Sequence, residues 1–302
     1  MADYIAVLGT GLMGAPMARR LLTAGFQVTA WNRTRAKAEA LVQDGAHVVD
    51  AAAKAAACTD IVLTMLENGA VVTDVLFGQG VADALSDGAL VIDMSSIPPS
   101  VAKDHAARLG ERGIRYIDAP VSGGVVGAEQ GTLAIMAGGA RKDIERAAQV
   151  FAAMGRVTPV GPSGAGQLAK LANQAIVGIT IGAVSESLLL AAAGGADPAA
   201  VRQAIRGGFA ESRILELHGQ RMVDRNFVPG GTARVQLKDM ETIVETAEGL
   251  SLDLPLTRNI RDRYRRLVDD LGDGMLDHSA LLLELEARNV PARVGAAADT
   301  RP

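Results

Sequence analysis

The feature that most constrains the fold of this chain is a glycine-rich turn between an apolar run and a helical segment. Tyr4–Leu8 has the pattern of a short strand, Gly9–Gly14 fits G-x-G-x-x-G, and the helical pattern continues to Ala24. In this setting the first glycine turns off the strand, the second lets a pyrophosphate approach the backbone, and the third lets helix and sheet pack closely. The N–H groups at the helix start then face the phosphates. The context favours a dinucleotide-binding turn over a glycine-rich turn that binds nothing.

Up to about residue 160, short β-branched runs alternate with Ala- and Leu-rich helical stretches. This alternation is typical of an α/β domain in which a mostly parallel, doubly wound sheet carries helices on both faces. The predicted strands are Tyr4–Leu8, Gln27–Trp31, Ile61–Met65, Leu90–Asp93, Arg115–Ala119 and Leu133–Ala137.

After Gly164 the strand-like runs almost disappear and long helical patterns follow. The predicted helices are Gln167–Gly194, Pro198–Ile205, Ser212–Asp224, Val235–Glu248 and Pro255–Asp270. The first is ~27 residues, or roughly 40 Å, long. Because it is apolar on most sides, we expect it to be buried in a helical bundle or between subunits. The segment 291–302 is rich in Ala and small polar residues, which predicts a flexible tail.

Charge, cysteine and histidine content exclude several functional classes. A net charge of −4 gives no basic face for a nucleic acid or an anionic membrane. Cys58 is the single cysteine, so an intramolecular disulfide and a multi-cysteine metal site are excluded, and its Ala-rich surroundings favour a small core residue over a nucleophile. The four histidines lack metal-ligand spacing, so we predict no metal. With no signal peptide and no run approaching the ~20 apolar residues of a membrane span, we expect a cytoplasmic protein.

The residues after the second predicted strand indicate which dinucleotide is bound. An NAD site usually has an Asp or Glu here, about 20 residues after the glycine turn, to bond the ribose 2′-hydroxyl. This chain instead has Asn32, Arg33 and Thr34. An arginine can pair with a 2′-phosphate, and the neighbouring polar groups can add hydrogen bonds. The loop therefore predicts NADP(H) as cofactor, against the alternative of an exposed arginine without a role.

A second glycine-containing turn follows the strand predicted at Arg115–Ala119. Ser122, Gly123 and Gly124 lie at the edge of an open α/β sheet where ligands bind. A serine hydroxyl and consecutive glycine N–H groups make a small concavity that suits a carboxylate. The alternative is a structural turn before the strand that begins at Leu133.

Three polar residues share one face near the start of the long apolar helix. Lys170, Asn173 and Gln174 are spaced i, i+3 and i+4, so their side chains are neighbours. A lysine there can protonate a carbonyl oxygen as hydride reaches the carbon, and take the proton back in the reverse direction. The alternative is a solvated helix face.

Taken together, these segments resemble the β-hydroxyacid dehydrogenase family, the oxidoreductases like 3-hydroxyisobutyrate dehydrogenase. The similar segments are GTGLMGAPMA at Gly9–Ala18, DAPVSGG at Asp118–Gly124, GAGQLAKLANQ at Gly164–Gln174, and Lys238 with Asp239. The resemblance implies a Rossmann domain at 1–163, then a long interdomain helix and an all-α domain at 164–290. It also implies a homodimer or homotetramer formed through the helical domain.

The resemblance assigns roles to particular residues of this sequence. It implies that Lys170 is the catalytic acid and base, that Ser122–Gly124 binds the substrate carboxylate, and that Asn173 and Gln174 orient the substrate. It also implies that Lys238, with Asp239, closes the cleft beside the cofactor. Besides the loop after the second strand, the expected cofactor contacts are Gly9, Gly11, Leu12, Met13, Gly14, Leu66, Ser96 and Lys238.

We expect the substrate to be a small, carboxylate-bearing hydroxy- or oxo-acid. Many family members have a second Asn where this chain has Gln174. The Gln form, with Arg206–Gly208, Asp224–Phe227 and Asp277–Ala280, is most similar to the branch that reduces 2-hydroxy-3-oxopropanoate to glycerate. Alternatives are 3-hydroxyisobutyrate, threonate and β-hydroxy amino acids such as threonine or phenylserine. Arg213 would hold a second anion or shorten the pocket if it points inward, and would have no role if it points outward.

Two other functional classes fit the sequence less well. Imine reductases share this architecture but generally replace the catalytic lysine, which is present here as Lys170. A non-catalytic NADP-binding protein tends to lose that lysine or to carry an added recognition module. We therefore expect an NADP-dependent oxidoreductase acting on a CH–OH group.

Overall fold

The computed structural model of the chain describes residues 4–57 and 59–302. Cys58, for which we predicted a core position, lies outside these residues. The chain divides into two units, Met1–Lys170 and Leu171–Pro302. The division falls inside the long helix, a few residues after the boundary at 163 that the sequence predicted.

A single sheet organises the first unit. In the described part of the chain its strands are β1 (Tyr4–Leu8), β2 (Gln27–Trp31), β3 (His47–Val48), β4 (Ile61–Thr64), β5 (Leu90–Asp93), β6 (Arg115–Asp118), β7 (Val121–Ser122), β8 (Leu133–Gly138) and β9 (Gly155–Gly161). They are ordered β3-β2-β1-β4-β5-β6-β8-β7, with β9 beside β8. Adjacent strands among β1 to β6 are parallel, β8 is antiparallel to β6 and β7, and β9 is parallel to β8. The predicted mostly parallel sheet is confirmed.

Helices cover both faces of this sheet, because successive residues of a strand point to opposite faces. In β1, Ile5 and Val7 belong to one hydrophobic cluster, while Ala6 and Leu8 belong to another. Both faces are buried, as in a doubly wound fold. The helices are α1 (Gly14–Thr23), α2 (Arg35–Glu39), α3 (Ala52–Ala56), α4 (Gly69–Thr73), α5 (Val81–Ala84), α6 (Pro99–Gly110), α7 (Gly124–Gln130), α8 (Arg141–Arg146) and α9 (Ala148–Met154).

Three strands were absent from the sequence prediction. β3 and β7 have two residues each, which is too short for an alternating pattern to be visible. β9 has the sequence GRVTPVG and is mostly exposed. Glycine and proline are depleted in strands, and an interior proline is tolerated mainly on an edge strand such as this one.

Six helices follow, and no strand is assigned after β9 in the described residues. They are α10 (Ala165–Ala193), α11 (Pro198–Ile205), α12 (Arg213–Val223), α13 (Ala233–Gly249), α14 (Pro255–Arg265) and α15 (Leu281–Arg288). Side-chain caps begin three of them: Asp197, Ser212 and Thr232 accept backbone N–H bonds at the starts of α11, α12 and α13. The all-α second domain is confirmed. The sequence prediction missed α15.

The helix α10 differs from one sequence expectation. By length and composition it is apolar enough to cross a membrane, whereas the sequence predicted that no segment approaches this requirement. Core helices of water-soluble proteins meet the same criterion. Only 39% of its most apolar stretch is buried within this chain.

The C-terminal segment also differs from the sequence expectation of a flexible tail. Val294 is fully buried, and the backbone of Thr300 bonds with Arg225 and Phe227. The buried guanidinium of Arg225 donates to Asp299 at 2.7 Å and to the Val294 carbonyl at 3.0 Å. A buried cation needs such partners. The C-terminal segment supplies them to Arg225, and these bonds hold the segment in place.

Candidate active site

The glycine turn after β1 is shaped by close contacts at its first and last glycines. Gly9 has a φ of +101°, and a Cβ there would lie 2.3 Å from the Met65 carbonyl oxygen. A Cβ on Gly14 would lie 1.9 Å from the Gly9 carbonyl oxygen. A side chain at either position would therefore displace backbone, which explains both glycines sterically.

The middle of the same turn is open. A Cβ on Gly11 would meet no heavy atom within 4 Å, and Leu12 is 82% exposed. Met13 packs against the hydrophobic cluster of the first unit. The buried hydroxyl of Thr10 has no hydrogen-bond partner among the described residues. A turn that is tight at both ends and open at its second glycine fits a dinucleotide pyrophosphate.

Asn32 joins this turn to the loop after β2. Its Oδ1 accepts a bond of 3.0 Å from the Thr10 backbone N–H, and its Nδ2 donates to the Thr34 carbonyl at 3.0 Å. The Asn32 side chain, which we expected to bond the cofactor, thus makes two of its hydrogen bonds inside the protein. Arg33 is exposed and makes no hydrogen bond or ion pair with the described residues, whereas Arg35 pairs with Glu39 at 2.7 Å. Arg33 is therefore available to an anion.

Loops after β4 and β5 are tied to each other by a buried carboxylate that the sequence analysis missed. Asp93 is fully buried and accepts bonds from the hydroxyls of Thr64 at 2.8 Å and Tyr116 at 3.2 Å. Burial raises the pKa of Asp93, and these hydrogen bonds oppose the rise. Leu66 donates its backbone N–H to the Ser95 hydroxyl at 2.9 Å. The sequence signal that could have identified Asp93 is a carboxylate at the end of a buried, apolar strand.

Gln167, another residue that we missed, holds the loop around Ser96. Its Nε2 donates to the Ser95 carbonyl at 2.8 Å, and its Oε1 accepts from the Ile97 N–H at 3.2 Å. Ser96, half-buried between them, is therefore fixed relative to the first turn of α10. Lys170 is also half-buried and lies one helical turn beyond Gln167.

The start of α10 is capped by Asp118. This buried carboxylate accepts the backbone N–H groups of Gly164 at 2.7 Å and Gln167 at 2.9 Å. Burial raises the pKa of Asp118 to about 6, although the two backbone bonds act to lower it. A Cβ on Gly166 would lie 2.4 Å from the carbonyl oxygens of Asp118 and Met136. The turn that precedes Lys170 is thus packed directly on β6 and β8.

The predicted carboxylate loop has the backbone of an exposed turn. Ser122 pairs with Ala134 in the β7–β8 ladder, and Gly123 and Gly124 have φ values of +136° and +63°. A Cβ on Gly124 would meet no heavy atom within 4 Å. Both glycines have positive φ values, and Gly124 leaves the backbone unobstructed, as an anion-binding turn requires.

The parallel sheet brings the predicted residues of the first unit to one edge. The glycine turn follows β1, the Arg33 loop follows β2, Leu66 follows β4, Ser96 follows β5, and the turn at Ser122 comes after β6. Carboxyl ends of parallel strands share an edge, and ligands bind where the strand order reverses. That reversal lies between β1 and β4.

The second unit connects Asn173, Gln174 and Lys238 through Asp239. Gln174 donates to Asp239 Oδ2 at 2.6 Å, and Asn173 donates to Gln174 Oε1 at 2.8 Å. The ammonium group of Lys238 lies 3.1 Å from Asp239 Oδ1. Gln174 is buried and used by the protein itself, which the sequence did not indicate.

Arg213 lies at the start of α12 with its side chain 71% exposed, and it bonds Glu216 at 2.6 Å. The surroundings of Arg213 are those of a surface ion pair. They favour the interpretation in which it has no role in the site.

Family models cover nearly the whole chain. Residues 4–161 match the NAD-binding domain of 6-phosphogluconate dehydrogenase, and residues 164–285 match the NAD-binding domain of NADP-dependent 3-hydroxyisobutyrate dehydrogenase. The chain belongs to the β-hydroxyacid dehydrogenase family. The family resemblance expected from the sequence is therefore confirmed.

Known proteins are similar to this chain along most of its length. It is 43% identical over 284 residues to the 2-hydroxy-3-oxopropionate reductase of Escherichia coli strain K12, covering 93% of this chain and 97% of that protein. It is 37% identical to a probable mitochondrial 3-hydroxyisobutyrate dehydrogenase-like protein of Arabidopsis thaliana, covering 94% and 86%. The structure of Mycobacterium tuberculosis 3-hydroxyisobutyrate dehydrogenase with L-serine superposes with a TM-score of 0.87 at 30% identity, covering 94% and 99%. The chain is an NAD(P)-dependent oxidoreductase acting on a CH–OH group, which confirms the predicted reaction class.

Proposed function

We propose that this enzyme reduces 2-hydroxy-3-oxopropanoate to glycerate with NADPH, in a reversible reaction. The observation that carries the proposal is the 43% identity, over 93% of the chain, with the E. coli 2-hydroxy-3-oxopropionate reductase. Gln174 and the segment Asp277–Ala280, which the sequence analysis associated with this branch, point to the same substrate.

Lys170 acts as the general acid. When bound, NADPH supplies the hydride that reduces the aldehyde carbon of the substrate. The ammonium group of Lys170 donates a proton to the aldehyde oxygen, which becomes the 3-hydroxyl of glycerate, and accepts a proton in the reverse direction. Such transfer requires a well-positioned donor. The bonds of Asp118 and Gln167 in the preceding turn supply that positioning.

The substrate carboxylate binds at Ser122–Gly124. The exposed glycine backbone and the serine hydroxyl offer hydrogen-bond donors to an anion. The turn itself has no cationic side chain. Asn173 orients the substrate, and Gln174 supports Asn173 through their hydrogen bond of 2.8 Å.

NADP(H) is the proposed cofactor. The 2′-phosphate binds Arg33, with Thr34 and the remaining N–H of Asn32 beside it, since Arg33 makes no ion pair within the described part of the chain. The pyrophosphate binds over Gly11. Leu66, Ser96 and Lys238 complete the proposed contacts, the last of them held by Asp239.

A second candidate function is a dehydrogenase of another β-hydroxyacid. The solved structure of the M. tuberculosis relative is one with L-serine, which favours a β-hydroxy amino acid as an alternative. 3-Hydroxyisobutyrate and threonate belong to the same class, since all carry a carboxylate near the reacting hydroxyl.

We also propose a cytoplasmic homodimer or homotetramer formed through the helical domain. Ile176 and Leu190 on α10 are 67% and 76% exposed, and Phe209 is fully exposed. Large exposed apolar side chains on a long apolar helix are typical of a subunit interface.

The test is turnover of NADPH with 2-hydroxy-3-oxopropanoate, followed by nicotinamide absorbance, in the wild type and in Lys170→Ala. We expect the variant to lose about 10²- to 10⁴-fold in kcat, while Lys142→Ala, at an exposed lysine of α8, stays at the wild-type rate. Oxidation of 3-hydroxyisobutyrate, threonate and threonine is measured in parallel. If one of these acids is turned over faster than 2-hydroxy-3-oxopropanoate, it becomes the assigned substrate. Full activity of Lys170→Ala would overturn the proposed role of Lys170.

A further inference from the structure

A continuous relay of polar contacts runs through the second unit and ends at Asn173. Lys238 lies 3.1 Å from Asp239 Oδ1, and Asp239 Oδ2 accepts from Gln174 Nε2 at 2.6 Å. Gln174 Oε1 then accepts from Asn173 Nδ2 at 2.8 Å. We call Asp239, Gln174 and Asn173 the amide relay.

The relay has one direction because a carboxylate can only accept hydrogen bonds. The carboxylate of Asp239 pairs with Lys238 through Oδ1 and accepts an N–H from Gln174 through Oδ2. The amide oxygen of Gln174 consequently faces Asn173, so the NH2 group of Asn173 donates to it. Amide orientations are assigned from such networks, and here a charge fixes the assignment.

Gln236 supports the same orientation. Its Nε2 donates to the backbone carbonyl of Gln174 at 3.3 Å, which leaves its Oε1 3.5 Å from Gln174 Nε2. The side chains of Gln236, Asp239 and Gln174 are buried, with residue exposures of 0%, 3% and 8%. Reversing a buried amide would set acceptor against acceptor, with little water to compensate.

The far end of the relay presents one particular atom. Because Nδ2 of Asn173 is committed to Gln174, the opposite position of the half-buried amide is occupied by Oδ1. No residue in the described ranges donates to this oxygen. The end of the relay is thus a hydrogen-bond acceptor with a defined orientation.

We propose that Gln174 is a positioning residue that, backed by Asp239, holds Asn173 as an acceptor and thereby selects substrates with a hydrogen-bond donor on the carbon next to the carboxylate. This inference rests on the proposed function, in which Asn173 contacts the substrate. The hydroxyl of glycerate or the ammonium of a β-hydroxy amino acid satisfies Asn173 Oδ1. The methyl of 3-hydroxyisobutyrate or the hydrogen of 3-hydroxypropanoate displaces water without replacing its hydrogen bond.

The selection is measured with substrates that differ only at this carbon. Oxidation by NADP⁺ is followed with glycerate, 3-hydroxyisobutyrate and 3-hydroxypropanoate, each chiral acid as both enantiomers. The readout is the ratio of kcat/KM for glycerate to kcat/KM for 3-hydroxyisobutyrate, because effects on cofactor binding and proton transfer cancel in it. We expect the wild type to favour glycerate by about tenfold or more.

Two variants separate the direction of the relay from the ion pair. In Asp239→Asn, the ammonium of Lys238 attracts the new amide oxygen, so the amide NH2 faces Gln174 and reverses the relay. The ratio should fall about tenfold. In Asp239→Asn with Gln174→Glu, the new carboxylate accepts from both neighbours and returns Asn173 to its original orientation. Both variants lack the original ion pair, so only the direction of the relay distinguishes them.

The outcomes are distinct. A ratio that falls in the single variant and returns in the double variant to within about twofold of wild type supports the relay. A ratio that is unchanged in the single variant, or that stays low in the double variant, overturns it. A wild type that oxidises none of the three acids overturns the proposed function instead.

A third variant covers the case in which a change at position 239 prevents folding, which a melting curve and NADPH binding would reveal. Gln174→Met keeps a similar volume and removes both hydrogen-bonding atoms. We expect the ratio to fall with little change in KM for NADP⁺. An unchanged ratio in Gln174→Met overturns the proposal without reference to Asp239.

Discussion

The carboxylate of Asp118, at the end of β6, accepts the backbone N–H of Gln167 at 2.9 Å, 49 residues later in the chain. It also accepts the N–H of Gly164 at 2.7 Å. The first N–H groups of a helix have no partner within the helix. A strand therefore supplies the cap for the helix that carries Lys170, so Asp118 both stabilises the first unit and orients the turn that precedes Lys170.

Removing this cap should destabilise the protein. We expect Asp118→Ala to lower the free energy of unfolding by about 1 to 3 kcal/mol per buried donor left without a partner. Asp104→Ala, which removes an exposed carboxylate paired with Arg108 on α6, should cost less than about 1 kcal/mol. Urea unfolding of the first unit measures both. Equal stability of the two variants would contradict the capping role.

The stability contributed by Asp118 should depend on pH. Burial raises its pKa from 3.8 to about 6, so the folded protein binds this proton more tightly than the unfolded chain. The part of its contribution that comes from the bound proton is therefore present below about pH 4 and is lost as the pH rises through about 6, whereas the two backbone hydrogen bonds persist. Relative to Asp118→Asn, which does not titrate, the wild type should lose about 2 kcal/mol between about pH 4 and pH 7. Unfolding free energies measured across this range should show a difference that changes with pH; a constant difference would contradict the raised pKa.

The sequence predicted the parts of the fold whose signals are local. The glycine turn at Gly9–Gly14 is recognisable from spacing alone, and the four-residue strand β5 is visible as an apolar run. Strands such as β7, with two residues, exist only because a partner strand pairs with them. Their position depends on tertiary structure and leaves no periodic pattern in the sequence.

The sequence predicted residues of the site by chemical type but missed those that hold them in position. Arg33 and Lys170 were proposed as site residues because their charge in a ligand-binding context suggests a role. Asp93 and Gln167 were missed because their partners, such as Tyr116 and Ser95, are 23 and 72 residues away. Long-range hydrogen bonds between ordinary polar residues cannot be read from one sequence.

Substitutions at two glycines of the turn should affect folding and cofactor binding separately. Because a Cβ on Gly14 would lie 1.9 Å from the Gly9 carbonyl, Gly14→Ala should lower the melting temperature strongly. Gly11→Val meets open space, so it should keep the melting temperature within a few degrees and weaken NADPH binding about tenfold or more. Thermal unfolding and NADPH fluorescence titration measure the two effects. Normal NADPH affinity in Gly11→Val would place the pyrophosphate elsewhere.

The choice between NADPH and NADH should depend on Arg33. We expect Arg33→Asp to weaken NADPH binding by about ten- to a hundredfold, because it replaces a charge-assisted bond to the 2′-phosphate with repulsion. The melting temperature should not change, since the side chain makes no bond with the described residues. Arg35→Ala is the matched control, because Arg35 is engaged with Glu39 at 2.7 Å. An unchanged ratio of NADPH to NADH use in Arg33→Asp would refute the 2′-phosphate assignment.

Arg225 should be the main attachment of the C-terminal segment. Its guanidinium is 1% exposed and bonds Glu286 at 2.6 Å and Asp299 at 2.7 Å. Arg225→Met would leave the largely buried carboxylate of Glu286 without its cation, so we expect a loss of about 3 to 5 kcal/mol in the free energy of unfolding. Arg293→Ala removes a more exposed arginine that pairs with the same Asp299 at 3.1 Å, and should cost less than about 1 kcal/mol.

The double variant Arg225→Met with Glu286→Met distinguishes a lost ion pair from lost packing. If the destabilisation comes from an uncompensated buried charge, removing the carboxylate as well should recover a large part of the stability. If it comes from the packing of the arginine side chain, the second substitution should add to the loss. Hydrogen exchange at Thr300, whose N–H bonds the Arg225 carbonyl at 2.8 Å, reports whether the tail detaches in each variant. Slow exchange in Arg225→Met would show that the backbone pairing, and not the buried cation, holds the tail.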